Sequence, residues 1–152
     1  MRALAVGLLV AFVGSPAPAA DKNEDKAKEA AVAFLKAVKA KDVDAVMKAS
    51  AAPFAHREGG DIGVIKDEAE LKKWVKEKLD SIADTDKVPT DVEKVVPFSE
   101  LKEKIPGEDD KKKVEEVVGK DGFVATIEVD GKTVVILVKM KDGKGKVVGI
   151  GH

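Results

Sequence analysis

Apolar residues recur at helical spacing near the start of the chain. They fall at positions 27, 30, 31, 34, 35 and 38, which is the i, i+3, i+4, i+7 pattern of an amphipathic helix. A charged lead-in over residues 21–26 precedes this helix. Phe34, Leu35 and Val38 make one end of its apolar face bulky. Asp42 is a good N-cap for a second, short helix.

A third helix is predicted to begin after Asp67. Glu70 follows three residues later, which gives an aspartate version of the capping box. Because Trp74 lies on the apolar stripe of this helix, we interpret it as a core residue rather than as a platform for a ligand. The stripe consists of Leu71, Trp74, Val75, Leu79 and Ile82.

The middle of the chain combines short strands with a helical excursion. Gly59-Gly60 marks a turn between two strands, and Pro106-Gly107 breaks the excursion. In chain order the predicted elements are a hairpin of strands 53–57 and 62–65, a strand over 92–98 that ends near Pro97, and helical stretches over 99–105 and 109–118.

The C-terminal third has the clearest pattern. Two apolar runs, 123–129 and 133–140, flank Asp130-Gly131, which is the strongest two-residue hairpin signal. A loop over 141–146 and a closing strand over 147–150 are predicted to follow. A two-residue turn makes every facing pair apolar, so the turn and the hydrophobic pattern require the same register. The pairs are Ile127 with Val134, Ala125 with Ile136, and Phe123 with Val138.

This order of elements predicts an α+β fold. A single curved, mainly antiparallel sheet wrapped around the long first helix would accommodate all of them.

Residues 1–19 have the three-part layout of a secretory signal. Arg2 supplies a positive charge, residues 3–13 form an apolar run, and Ala17-Pro18-Ala19 provides the small residues that a signal peptidase requires. The apolar run is too short to span a bilayer, which takes about 20 residues. We therefore expect cleavage between Ala19 and Ala20. Residues 20–152 would then be exported as one domain to the periplasm or the medium, without a stable membrane anchor.

Composition and charge exclude several classes of function. The 152 residues include 27 Lys and Arg against 28 Asp and Glu, so no basic face for nucleic acid is indicated. Aromatic residues make up only 4%, which argues against a surface that stacks bases or sugars. The absence of cysteine excludes disulfides, thiol nucleophiles and CxxC zinc sites. We expect no cofactor and no nucleic-acid partner.

Two motifs that would supply chemistry are incomplete. The acidic segment 21–25 resembles the start of a calcium loop, but Lys26 stands where an EF-hand requires glycine and Val32 where it requires glutamate. The serines have no G-x-S-x-G context, and the glycines form no phosphate loop. The sequence therefore predicts neither a metal site nor a nucleophilic serine.

Several segments carry a resemblance to a known family. They are AVAFLKAV at 31–38 with KDVDAV at 41–46, Pro53-Phe54, Ile65-Lys66-Asp67, and DGKGKVVG at 142–149. On the basis of these segments, the chain resembles a secreted member of the nuclear transport factor 2-like superfamily, whose members are cystatin-like, cone-shaped α+β rolls. The resemblance covers nearly all of residues 20–152. The resemblance implies a fold rather than a function, because the superfamily includes isomerases, cyclases, dehydratases, transport factors and binding domains. The excursion over 99–118 departs from the family's minimal pattern.

His56 is the first candidate for chemistry. Alternate residues of a strand share a face, so His56 faces the interior of the cone if Phe54 does. A histidine beside an apolar cavity can act as a general base or bind a polar ligand group, whereas at the end of a short strand it can be merely structural. Enzymes of the superfamily place an Asp, or an Asp/His pair, inside the cone. Here Asp61 sits at a glycine turn, where aspartate commonly bonds to the backbone. Glu128 lies on the strand face opposite to that of Ile127, so it should point away from the packed side. The acid/base pair of the superfamily's enzymes therefore does not carry over to these positions.

The sequence leaves two functions open. The first is an exported, non-catalytic binding or interaction domain, which holds a small apolar ligand in its cavity or forms a homodimer through an exposed sheet face. The second is a small lyase or isomerase with His56 as general base and Asp61 as its candidate partner. The residues expected on the dimer face are Val124, Thr126, Val135 and Leu137. The residues expected to line the cavity are Phe34, Phe54, His56, Trp74, Ala125 and Ile136.

Overall fold

The computed structural model describes residues 18–58 and 60–152. The predicted signal sequence covers residues 1–19, and its residues 1–17 lie outside the described residues. In chain order the elements are α1 (Pro18–Lys39), α2 (Val43–Ala49), β1 (Ser50–Glu58), β2 (Asp61–Ile65), α3 (Glu68–Ser81), a 3-10 turn (Thr85–Lys87), β3 (Lys94–Pro97), α4 (Phe98–Lys102), α5 (Glu108–Val118), β4 (Phe123–Val129), β5 (Lys132–Lys141) and β6 (Lys144–Gly151).

The strands form one open, mixed sheet in the order β2-β1-β6-β5-β4-β3. All neighbouring strands are antiparallel except β1 and β6, which run parallel. The expected α+β class with a mainly antiparallel sheet is thus confirmed. The last strand, however, lies in the middle of the sheet, where it joins the N-terminal hairpin to the C-terminal strands.

The C-terminal hairpin has the predicted register. Ile127, Ala125 and Phe123 face Val134, Ile136 and Val138, in that order. Asp130 and Gly131 both have positive φ, 52° and 78°, as a type I′ turn requires. The expected loop over 141–146 is wrong, because Asp142 and Gly143 form a second turn with φ of 53° and 75°, and β5 and β6 continue up to it.

The predicted helix caps are confirmed. The Asp42 carboxylate accepts a hydrogen bond from the Ala45 amide at 3.0 Å, and Asp67 accepts one from the Glu70 amide at 2.8 Å. α1 extends further than its apolar pattern, because the charged lead-in is helical as well. Its lysines and glutamate are good helix formers that remain exposed to solvent.

One face of the sheet carries the larger core. α1 contributes Phe34 and Leu35, and α3 contributes Leu71, Val75 and Leu79, all of them buried. They pack against the apolar side chains that alternate residues of the strands direct to this face, among them Phe54, Ala125 and Ile136.

The opposite face is covered by the helical excursion. Val114, Val117 and Val118 of α5 pack on Val124 and Leu137, which are 1% and 6% exposed. The expectation of an exposed sheet face is therefore wrong at these two positions, whereas Thr126 and Val135 are half-buried. A helix of this amphipathic pattern buries its apolar stripe on the nearest apolar surface, and here that surface belongs to the same chain.

An ion pair joins the two helices of the excursion. The Lys102 ammonium lies 2.9 Å from the Glu115 carboxylate. The hydrogen bond to Glu115 raises the pKa of Lys102 above its ordinary value of 10.5, so the ammonium stays charged throughout the physiological range. Among the described helices, none is long and apolar enough to cross a membrane.

Replacing Leu137 with alanine tests whether α5 covers this face in solution. We expect Leu137→Ala to lower the free energy of unfolding by about 2–5 kcal/mol, the usual cost of such a cavity in a core. Val135→Ala, at a half-buried position on the same strand and face, is the control and should cost less. Denaturant unfolding measures both, and equal small effects would contradict the packing of α5 on the sheet.

Candidate functional site

A cleft opens on the face of the sheet that carries α1 and α3. Its volume is about 340 Å³. Phe34 and Val38 of α1 line it one helical turn apart, while α3 contributes the side chains of one helix face between Trp74 and Ser81. The rest of the apolar lining is Val46, Val75, Leu79, Ile82, Val134 and Ile150, and the polar lining is His56, Arg57, Lys78, Ser81 and His152. The predicted core helix therefore also forms a wall of a cavity.

His56 is positioned by a glycine on the neighbouring strand. His56 of β1 faces Gly63 of β2 in the antiparallel pair. A Cβ atom at position 63 would lie 2.7 Å from the imidazole Nε2 and 2.9 Å from Cε1. The imidazole thus occupies the space that a side chain at position 63 would fill, so it packs directly against the backbone of β2.

Trp74 packs between two aromatic neighbours. Its ring centroid is 5.4 Å from that of Phe54 and 5.4 Å from that of His56, with interplanar angles of 50° and 38°. The Lys78 ammonium lies 5.7 Å from the Trp74 ring centroid, within the range of a cation–π contact. Phe54 anchors this cluster in the core, and Trp74 brings it to the cleft.

Two nitrogens of the cluster have no hydrogen-bond partner. His56 Nδ1 and Trp74 Nε1 are shielded from solvent, and no described atom bonds to either. Buried polar atoms are nearly always paired, because an unpaired donor loses its bond to water without replacement. This cleft therefore has unused hydrogen-bonding capacity beside an apolar surface.

The structure brings only some of the expected cavity residues together. Phe34, His56 and Trp74 line the cleft. The other three expected residues do not line it, because they are fully buried in the core beneath the cleft. They are Phe54, Ala125 and Ile136. The sequence correctly predicted that these three residues share one face of the sheet. Sharing a face does not determine which residues reach the cleft.

No acid/base pair forms around His56 among the described side chains. Asp61 begins β2, is exposed, and lies opposite Glu58 at the tip of the hairpin. No described carboxylate makes a hydrogen bond or an ion pair with the imidazole. The geometry thus offers a base without the acid that the lyase or isomerase hypothesis requires.

Sequence reasoning overlooked the basic residues of the cleft. Lys78 follows Trp74 by four residues, and i, i+4 neighbours share a helix face, so this signal was present. Arg57 follows His56 directly on β1, so the alternation of strand residues places it on the opposite face. The sequence pattern therefore gave no signal that Arg57 lines the cleft.

A second cleft lies on the opposite face, between the sheet and the helical excursion. Its volume is about 250 Å³. It is lined by Ile62, Leu101, Ile105, Val114 and Leu137, and it shares His56, Arg57, Ile150, Gly151 and His152 with the first cleft. The two clefts therefore meet at the same end of the central strands.

Neither metal geometry nor similarity to known proteins identifies the site. In the described parts of the chain, no three His, Asp or Glu side chains are grouped to hold a metal ion. The chain matches no protein-family model and no curated protein sequence significantly. Its function must therefore be inferred from the geometry of the cleft.

The contact between His56 and Gly63 can be tested with a double-mutant cycle. Gly63→Ala should displace the imidazole and lower the free energy of unfolding by about 1–3 kcal/mol, since overpacking forces side chains from their positions. In a His56→Ala background the same substitution should cost clearly less. Denaturant unfolding gives the coupling, and additive effects of the two substitutions would refute the contact.

Proposed function

We propose that this protein is an exported, non-catalytic binding domain that holds a small apolar or amphiphilic ligand in the cleft between α1, α3 and the sheet. The observation that carries the proposal is an apolar cleft with two unpartnered nitrogens, those of His56 and Trp74, at its wall. Ligand sites commonly combine such a lining with a few polar groups that orient the ligand. The volume of about 340 Å³ falls at the small end of their usual range.

We further propose that the domain is a nuclear transport factor 2-like, cone-shaped roll around its N-terminal helix. The sequence resemblance supports this, and so does the strand order, in which an N-terminal hairpin pairs with the last strand. The assignment bears on the fold alone, because function depends on the groups in the site.

Binding is favoured over catalysis by the surroundings of His56. A general base in a lyase or isomerase requires an oriented imidazole and a matched acid. Here Trp74 and Gly63 lie against the imidazole, and they orient the ring but transfer no proton. A homodimer through the opposite face is also disfavoured, because α5 already covers Val124 and Leu137.

The single tryptophan of the chain reports on the cleft. Trp74 lines it, and the sequence contains no other tryptophan. We expect octan-1-ol to change the intrinsic fluorescence of Trp74 in a saturable manner, because the alcohol alters the polarity beside the indole. A titration of the purified full chain measures this change.

Partly filling the cleft should weaken that response. Val134 lines the cleft at a half-buried position, so Val134→Phe is expected to fill part of it and weaken binding of octan-1-ol at least several-fold. Val129→Phe, at a half-buried position of β4 outside the cleft, is the matched control and should bind normally. A response that survives Val134→Phe unchanged would place the alcohol elsewhere.

The proposed export has its own test. When the full chain is produced in a bacterium, we expect the exported form to begin at Ala20, as determined by N-terminal sequencing. Ala19→Arg should block processing, because the peptidase accepts only small residues there, whereas Pro18→Ser between the two specificity positions should not. An unprocessed, retained wild-type chain would disprove the signal sequence.

A further inference from the structure

Among the side chains that the structure describes, the charged and titratable ones that line the first cleft are all basic. Arg57 and Lys78 carry positive charge, and His56 and His152 are the two histidines of the chain. No Asp or Glu is among the described residues that line it. These groups come from β1, α3 and the end of β6, so three different elements direct them to one place. A cleft with low-dielectric walls and charge of one sign concentrates the field of that charge.

The unpartnered nitrogens have the same preference. An indole Nε1 is only a donor, so the partner that Trp74 lacks must be an acceptor. His56 Nδ1 also donates in the tautomer that carries its proton there. The two rings pack against each other with centroids 5.4 Å apart, so both nitrogens belong to side chains of one contact at the cleft wall.

The rest of the lining favours a linear apolar body. Phe34 and Val38 on α1 and Leu79 and Ile82 at the end of α3 supply apolar lining from two different helices. An unbranched alkyl chain fits such a lining, because its burial there removes apolar surface from water. Of the basic residues, Arg57 and the two histidines come from β1 and the end of β6, whereas Lys78 comes from α3, so charged groups adjoin the apolar lining.

We propose that the ligand is an amphiphilic carboxylate with a medium-length alkyl chain. The alkyl chain lies between α1 and α3, and the carboxylate accepts hydrogen bonds from Trp74 Nε1 and His56 Nδ1 beside the Lys78 ammonium. Because both nitrogens are shielded from solvent in the free protein, binding includes a rotation of one or both rings towards the cleft. The inference rests on the proposed binding function and specifies the ligand class of the same site.

Three ligands of equal chain length test it: octanoate, octan-1-ol and octylammonium. Isothermal titration calorimetry on the purified full chain should show octanoate binding at least about tenfold more tightly than the other two, since a hydrogen bond to a charged group outweighs one to a neutral group. Equal binding of octanoate and octan-1-ol would overturn the inference but leave the apolar cleft intact. Tighter binding of octylammonium would also overturn it. Binding of none of the three would overturn the proposed function as well.

Two variants identify the groups that recognise the carboxylate. Trp74→Phe keeps an aromatic ring and removes the N–H, so octanoate should bind about tenfold more weakly, and octan-1-ol should lose less affinity than octanoate does. Lys78→Met removes the charge and should weaken octanoate several-fold. Its matched control is Lys76→Met, an exposed position on α3 that does not line the cleft. Circular dichroism checks that each variant is folded. Unchanged octanoate binding in both Trp74→Phe and Lys78→Met would refute the proposed contacts.

Discussion

The parallel pairing of β1 with β6 holds the two halves of the chain in one sheet. β1 brings the N-terminal hairpin, and β6 brings the antiparallel strands of the C-terminal third. Gly149 lies opposite Ala55 in this pair, and a Cβ atom there would come within 2.9 Å of the Ala55 carbonyl and 2.7 Å of the Leu137 side chain. The close approach of the two central strands therefore depends on glycine. The Lys146 ammonium also donates to the Lys48 carbonyl, 98 positions earlier in the chain.

Each face of this sheet is covered by helices from a different half of the chain. α1 and α3 cover one face, and α4 and α5 cover the other. At the end of β1 and β6 the cover is incomplete on both sides, so the two clefts share the residues of these strand ends. The site is thus a consequence of where the helices stop rather than of a dedicated loop. A site built on strands and helices holds its side chains more rigidly than one built on loops.

The chemistry of the first cleft follows from three neighbouring residues with different roles. Gly63 provides the space in which the His56 imidazole lies, and Trp74 closes over that imidazole from α3. Together they produce an apolar wall with buried donors and no described acid in contact with the histidine. Such a set suits the proposed binding of a polar group, whereas proton transfer would require a second titratable partner. The basic groups around it give the cleft a preferred sign of charge.

By itself the sequence determined the local features. The caps at Asp42 and Asp67, the Asp130-Gly131 turn and the register of its hairpin all depend on residues within a few positions of one another, so short-range hydrogen bonds and φ preferences decide them. The second Asp-Gly turn, at Asp142, carried the same signal. Only the tertiary structure decided that β6 lies beside β1, that α5 covers Leu137, and that Phe54 lies beneath the cleft that Phe34 lines. These outcomes depend on how distant surfaces fit together, and no short segment of the chain contains that information.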